Sequence, residues 1–378
     1  QAEDGIRELV RSRGLGDVYK RQIRAAVLET MGAEPPYAQS RPLSVQEVEL
    51  DPPGDGEVLV RVAAAGLCHS DLSVMNGSRP RPTPMVLGHE ASGVVEVVGP
   101  GVDDLERGDH VVMVFVPSCG HCAPCAEGRP ALCEPGAATN TAGTLLSGAR
   151  RLHREESGGR ADVHHHMGVS AFAEYATLSR RSLVKVDPEL PLDEAALFGC
   201  AVLTGVGAVV NTARVEPGAT VAVIGLGGVG LNSLLGAVLC GARQIVAIDL
   251  ADDKLALARQ LGATDTFNAG DADCVAQVRE ATRGGVDYAF ELAGSVKALE
   301  LAYAVTRRGG ATVTAGLPHP EHKLTLPAVS LVAEERTLMG SYIGSCVPLR
   351  DMPRFIDLYR RGRLPVDRLL SGHLGLDD

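Results

Sequence analysis

The chain has 378 residues, 45% hydrophobic and 22% charged, with 36 lysines and arginines against 47 aspartates and glutamates. That length builds two domains with cores of their own, and a net charge of −11 argues against nucleic acid or an anionic membrane surface as partner. No apolar run reaches the roughly 20 residues that a bilayer-spanning helix needs.

The opening stretch, "QAEDGIRELVRSRGLGDVYKRQ", mixes both charge signs and lacks the apolar core of a signal peptide. Residues 1–22 are expected to be a non-native leader, with the native chain starting near Ile23 or Arg24. Without an export signal, the expected compartment is the reducing cytoplasm, which disfavours disulfides among the nine cysteines. Residues 23–200 read as a mostly β domain: "EVLVRVAAAG" and "ASGVVEVVG" are strands, while "LDPPGDGE" and "VGPGVDD" are loops.

Two sets of metal-ligand residues lie within this region. Cys119, Cys122, Cys125 and Cys133 have the spacing C-x2-C-x2-C-x7-C, which suits a closed tetrahedral zinc site. A redox centre needs an exposed C-x-x-C opening a helix, whereas Gly120, Pro124 and Pro130 argue for a loop. A zinc-ribbon module for nucleic acid is disfavoured by the charge. The second set is dispersed: "GLCHSD" supplies Cys68, His69 and Asp71, "LGHE" supplies His89 and Glu90, and "FGC" supplies Cys200. Singly, each reads as a buried cysteine or a surface histidine. Together they offer two thiolates and an imidazole, leaving a fourth position open as catalytic zinc requires. "HHH" at 164–166 is read as a loop entering a strand, because neighbouring strand residues face opposite ways and cannot all share one ion. Cys240, Cys274 and Cys346 read as small core residues.

From about Val202 strands alternate with helix-length segments, the pattern of a doubly wound parallel sheet over residues 201–340. "GLGGVG" follows an apolar strand and opens a helix, and places Gly225, Gly227 and Gly230 in the G-x-G-x-x-G pattern. "IVAID" ends the next strand at Asp249, close to the roughly 20-residue offset of a ribose-binding acid, which favours NAD over NADP. An ordinary βαβ unit with a loop-end aspartate is the bland alternative. After Gly340 the β texture partly returns, so residues 341–378 are expected to rejoin the first domain.

The four-cysteine lobe, "GHE", "FGC" followed by Thr204, and "GLGGVG…D" occur in an order that resembles the zinc-dependent medium-chain alcohol dehydrogenases, over residues 23–378. The resemblance implies a GroES-like catalytic domain, a Rossmann coenzyme domain, one catalytic and one structural zinc, and NAD. It implies Cys68, His89 and Cys200 as catalytic zinc ligands and the lobe cysteines as the structural site. Asp71 would hold the His89 imidazole, Glu90 would sit behind the metal, and Ser70 would accept the alcohol proton. Thr204 and Val229 would pack on the nicotinamide, His69 would lie near the pyrophosphate, and Gly228 and Lys254 would complete the cofactor set. Zinc would acidify the alcohol and NAD would take its hydride.

The family's relay histidine would fall five residues after Cys68, where this chain has Ser73; a weaker or water-mediated relay is the expectation. The glutathione-dependent formaldehyde branch carries acidic residues in the stretch that here reads "NGSRPRP", with Arg79 and Arg81. "CEPGA" also lacks the arginine expected after the fourth lobe cysteine. A primary or aromatic alcohol, or its aldehyde, therefore ranks above the glutathione adduct. A non-catalytic zinc- and NAD-binding relative is the alternative of another class, but would be expected to lack Cys68, His89 or Cys200. The family continues past "LLSGHLGLDD" through a final helix and strand, so the chain is expected to be truncated there. A homodimer or homotetramer is expected, through the edge strand near "GGATVTAGLP" to "LMGSYIGS".

Overall fold

A computed structural model describes residues 20–378. They form two compact units, and the first runs through Cys119, resumes over Pro135–Ala196 and takes in Leu374–Asp378.

In the first unit, β1 (Arg21–Leu28), β2 (Leu43–Leu50), β3 (Glu57–Ala65), helix α1 (His69–Met75), β4 (Met85–Val86), β5 (Ala91–Val98) and β6 (His110–Met113) follow one another. β7 (Leu152–Glu156), β8 (Gly159–His165), β9 (Tyr175–Ser179) and β10 (Leu183–Val186) complete it. β1, β2, β7, β8 and β4 close into a barrel, and the others form a sheet in the order β10-β6-β5-β3-β9. Period-2 alternation sends Ile23, Ala25 and Val27 inward against Val48, Leu50, Leu152 and Val163. The leader expected over residues 1–22 lies mostly outside the described residues, but β1 begins before Ile23: Arg21 and Gln22 pair with Leu50 and Glu49.

The second unit comprises Gly120–Glu134 and Leu197–His373. It opens with α2 (Ala201–Gly207) and continues with β11 (Thr220–Ile224), α3 (Gly228–Leu239), β12 (Gln244–Asp249), α4 (Asp252–Gln260) and β13 (Asp265–Asn268). α5 (Cys274–Ala281), β14 (Val286–Glu291), α6 (Val296–Val305), β15 (Thr306–Thr314), β16 (Thr337–Gly340) and α7 (Pro348–Arg360) follow. All six strands are parallel, in the order β13-β12-β11-β14-β15-β16. The order reverses between β11 and β14, the switch point at which doubly wound sheets hold their ligands.

The return of the chain comes later than the sequence implied. α7 buries Met352, Phe355 and Ile356 within the second unit, and Asp351 binds Asn211 and the Val347 amide there. Only the last five residues rejoin the first unit, where Leu376 packs beside Leu28 and Met85 and Asp377 pairs with Arg24. Among the described residues no single helix is long and apolar enough to cross a membrane.

Candidate functional site

β3 ends at Ala65, and the chain turns through Cys68, which caps α1 in an extended conformation. Asp71, at the third position of α1, reaches back to the Cys68 amide at 3.3 Å. This capping box fixes the thiol and the carboxylate in one rigid turn. Between β4 and β5 the chain passes through Gly88 at φ +92, where a Cβ would lie 2.5 Å from the Phe172 amide nitrogen. Only glycine fits such a turn, and the turn delivers His89 and Glu90 into the interior.

Asp71 is the hub of the cluster. Its Oδ1 accepts from the Gly88 amide at 3.0 Å, and His89 Nδ1 lies 3.2 Å from Oδ1 and 3.1 Å from Oδ2. His166 Nδ1 stands 3.1 Å from Oδ1, off the ideal hydrogen-bond line. Burial pushes the carboxyl upward, but His89 and His166 more than offset it and hold Asp71 ionised, below the usual carboxylate range. The edge of Phe115 supports the His89 ring, with centroids 5.3 Å apart at 85°. Burial opposes charge on His89, yet the neighbouring Asp71 and Cys68 raise its pKa well above the ordinary value.

His89 Nε2 is buried and makes no hydrogen bond. The ligand atoms of Cys68, His89 and Glu90 all lie within 4.8 Å of one another. A buried, unsatisfied ring nitrogen in a field that attracts positive charge, beside a sulfur and a carboxylate, fits a divalent zinc ion. Ser70 and Ser73 sit on α1, both half-buried, and Ser73 Oγ donates to the His69 carbonyl at 2.8 Å. His69 is exposed. Cys200 is buried and precedes α2 in the second unit; its carbonyl accepts from the Thr204 amide at 2.9 Å.

The lobe cysteines come together as one group, their sulfurs within 4.8 Å of one another. Cys122 caps a one-turn helix, Ala123–Ala126, with Pro124 in its first turn, and Cys133 follows a short 3-10 turn, Pro130–Leu132. Burial first, then the neighbouring Cys122 and Cys133, push the Cys125 thiol up to about 12. Four sulfurs this close resist carrying charge together unless a cation lies among them, so this lobe also fits zinc. None of the nine cysteines forms a disulfide.

In the second unit, the glycine loop leaves β11 and enters α3. Gly225 has φ +89, and a Cβ there would lie 2.7 Å from the Ala293 nitrogen. At Gly230 a Cβ would lie 1.8 Å from the Gly225 carbonyl oxygen, whereas at Gly227 it would meet nothing within 4 Å. Gly227 and Gly228 are exposed at the N-terminus of α3, whose amides and dipole suit a phosphate. Asp249 closes β12; its Oδ2 accepts from the Leu226 amide at 2.6 Å and its Oδ1 from the Ala251 amide at 3.0 Å. Thr204 is buried on α2 and Val229 is half-buried on α3. The helices approach so closely that a Cβ at Gly205 would lie 2.3 Å from the Val229 carbonyl oxygen. Lys254 is exposed on α4.

Sequence reasoning missed His166. The histidine run does not enter a strand but leaves one: His164 and His165 end β8, and His166 follows in a turn stiffened by Met167 at φ +52 and Ser170 at φ +56. Its partners, Asp71 and His89, are remote in sequence and no spacing pattern announces them. Cys274 and Cys346 are buried as expected, while Cys240 is half-buried at the end of α3.

Comparison with known proteins agrees with this geometry. Residues 54–188 match the alcohol dehydrogenase GroES-like domain, and residues 228–361 match the zinc-binding dehydrogenase domain. The NDMA-dependent alcohol dehydrogenase of Amycolatopsis methanolica is 39% identical over 94% of this chain and 93% of its own length. The S-(hydroxymethyl)glutathione dehydrogenase of Paracoccus denitrificans is 37% identical over 89% and 92%. The crystal structure of benzyl alcohol dehydrogenase from Acinetobacter calcoaceticus superposes with a TM-score of 0.85 at 35% identity, covering 92% of each chain. The chain belongs to the zinc-dependent medium-chain alcohol dehydrogenases, oxidoreductases that act on alcohols with zinc and NAD as cofactors.

Proposed function

We propose that the protein oxidises a primary or aromatic alcohol to the aldehyde, reversibly, by hydride transfer to NAD. The observation that carries this reading is the buried, unbonded Nε2 of His89 beside Cys68 and Glu90, with Asp71 behind the ring. In this reading Cys68, His89 and Cys200 hold a zinc that supplies Lewis acidity to the alcohol oxygen. Asp71 fixes the tautomer of His89 by accepting from Nδ1. Ser70 takes the alcohol proton, and Glu90 offers an alternative ligand oxygen. Thr204 and Val229 orient the nicotinamide, which accepts the hydride. The exposed Gly227–Gly228 amides take the pyrophosphate, with His69 and Lys254 as flanking contacts. Asp249 accepts from the ribose hydroxyls and repels a 2′-phosphate.

The glutathione adduct is the second reading, favoured by the Paracoccus relative. Against it stand Arg79 and Arg81, both part-buried, whose positive charge would repel the adduct's ammonium group. Assembly as a homo-oligomer is part of the proposal: β16 is an edge strand, and Leu317, Val329, Val332 and Leu338 are exposed in the same unit. A reducing cytoplasmic setting is part of the same reading.

The test follows NADH formation with alcohols from ethanol to benzyl alcohol, with formaldehyde plus glutathione alongside. Turnover of plain alcohols that Cys68→Ala abolishes is the expected result. Turnover of the glutathione adduct alone sinks the argument from Arg79 and Arg81. Absence of NAD-linked turnover in folded, zinc-loaded protein sinks the enzymatic reading.

A further inference from the structure

His166 is fully buried, and its backbone amide donates to Ser170 Oγ at 2.8 Å, which pins the residue in its turn. Its Nδ1 is 3.1 Å from Asp71 Oδ1, and its ring meets the His89 ring edge-on at 5.5 Å. A bare lone pair on Nδ1 would face a buried anion at that distance, so Nδ1 presents an N–H to Asp71. The charged and titratable groups around it are Asp71 on α1, His89 ahead of β5 and Arg81 ahead of β4.

The carboxylate does not depend on His166 for its place. The Gly88 amide on Oδ1 and the Cys68 amide on Oδ2 already fix Asp71. What a second imidazole changes is the share of the anion's charge that reaches the first. We propose that His166 is a positioning residue that divides the Asp71 carboxylate with His89, and so tempers how strongly His89 donates to the metal. The inference rests on the reading of His89 as a zinc ligand. A carboxylate bonded to one ring makes that ring a stronger donor. The same carboxylate shared between two rings polarises each less, leaving the metal more acidic.

His166→Phe keeps a ring and removes the N–H. His166→Asn keeps a donor where Nδ1 stood, and His166→Gln keeps polarity but offers nothing there. Metal affinity is titrated on the holoenzyme against a chelator, and the cobalt(II)-substituted enzyme reports the histidine–thiolate site through its visible bands. His166→Phe is expected to hold the metal roughly 3- to 10-fold more tightly, below the usual range for partners of metal-bound histidines. Its cobalt bands shift, and the pH midpoint of alcohol oxidation rises by about half a unit, following the metal's lower acidity. His166→Asn restores wild-type values, and His166→Gln repeats the effect if the phenyl ring is not tolerated. Unchanged or weaker metal binding in the variants lacking the donor, or His166→Asn matching His166→Phe, overturns the proposal. A wild-type enzyme without cobalt–thiolate bands would instead overturn the zinc-ligand reading itself.

Discussion

Alanine placed at each of the three pattern glycines separates what the fold needs from what a dinucleotide needs. At Gly230 a Cβ lies 1.8 Å from the Gly225 carbonyl oxygen, and both partners are backbone, so neither can swing aside. Gly230→Ala is therefore expected to cost about 3 kcal/mol, the upper end for overpacking. Gly225→Ala combines φ +89 with a 2.7 Å approach to the Ala293 nitrogen, which gives a similar loss of about 2–3 kcal/mol. Gly227 stands apart, with φ −73, ψ −172 and open space where its Cβ would go. As a helix cap, Gly227→Ala should cost under about 1 kcal/mol. If the pyrophosphate lies against those amides, the added methyl occupies its approach, and NADH affinity should fall by at least about 10-fold, some 1.4 kcal/mol. Thermal unfolding measures the first quantity. NADH fluorescence titration measures the second, with no tryptophan in the chain to interfere. Wild-type NADH affinity in Gly227→Ala would refute the placement of the pyrophosphate, and wild-type stability in Gly230→Ala would refute the steric argument.

Three further outcomes follow from local chemistry. His165 Nε2 accepts from the Arg151 amide at 3.0 Å, and burial, reinforced by neighbouring His153, lowers its pKa to about 3. The unfolded chain binds this proton near pH 6.5 and the folded chain does not, so His165 costs nothing above that pH. Below it, stability falls by about 1.4 kcal/mol per pH unit until about pH 3, and His165→Gln should move the acid-unfolding midpoint downward. Ser73 Oγ is spent on the His69 carbonyl at 2.8 Å. Ser73→His should therefore shift the kcat profile to lower pH and raise neutral turnover by up to about 10-fold; an unchanged profile would show that the relay does not pass this position. Cys133→Ser should release the lobe's zinc and open residues 119–133 to protease, while kcat per folded chain stays near wild type. Loss of kcat in step with that zinc would argue against a purely structural lobe.

Most of the architecture was legible because it is written in local periods. Apolar β11 and β12 flank a glycine turn, and the lobe cysteines lie within one loop, so each signal fits inside a short window. The features that escaped depend on distant packing. α7 looked like part of the first domain, but Asp351 is captured by Asn211 and the Val347 amide, so the chain returns only at Leu374. The histidine run looked like an alternating strand entry. Pairing of β8 with β4 instead ends the strand at His165 and frees His166 to turn toward Asp71. Alternation predicts facing within a strand and is silent about the residue just beyond it.

The two metal sets differ in where their geometry comes from. The lobe draws its four sulfurs from one short stretch shaped by a one-turn helix and a 3-10 turn, where burial first, then the neighbouring Cys122 and Cys133, raise the Cys125 thiol. Cys68, His89 and Glu90 come instead from two turns that a sheet, a barrel, a capping box and the Gly88 crossing fix in advance. Asp71 already takes its amide bonds there, and the His89 ring already stands against Phe115. A site assembled before the metal arrives loses little ordering entropy on binding it, so its ligand number can stay below four and leave room for substrate. In the proposed reading the lobe's four sulfurs would by themselves complete a tetrahedral coordination sphere. That contrast, more than the cysteine count, supports the proposal that the first set does chemistry and the second braces a loop.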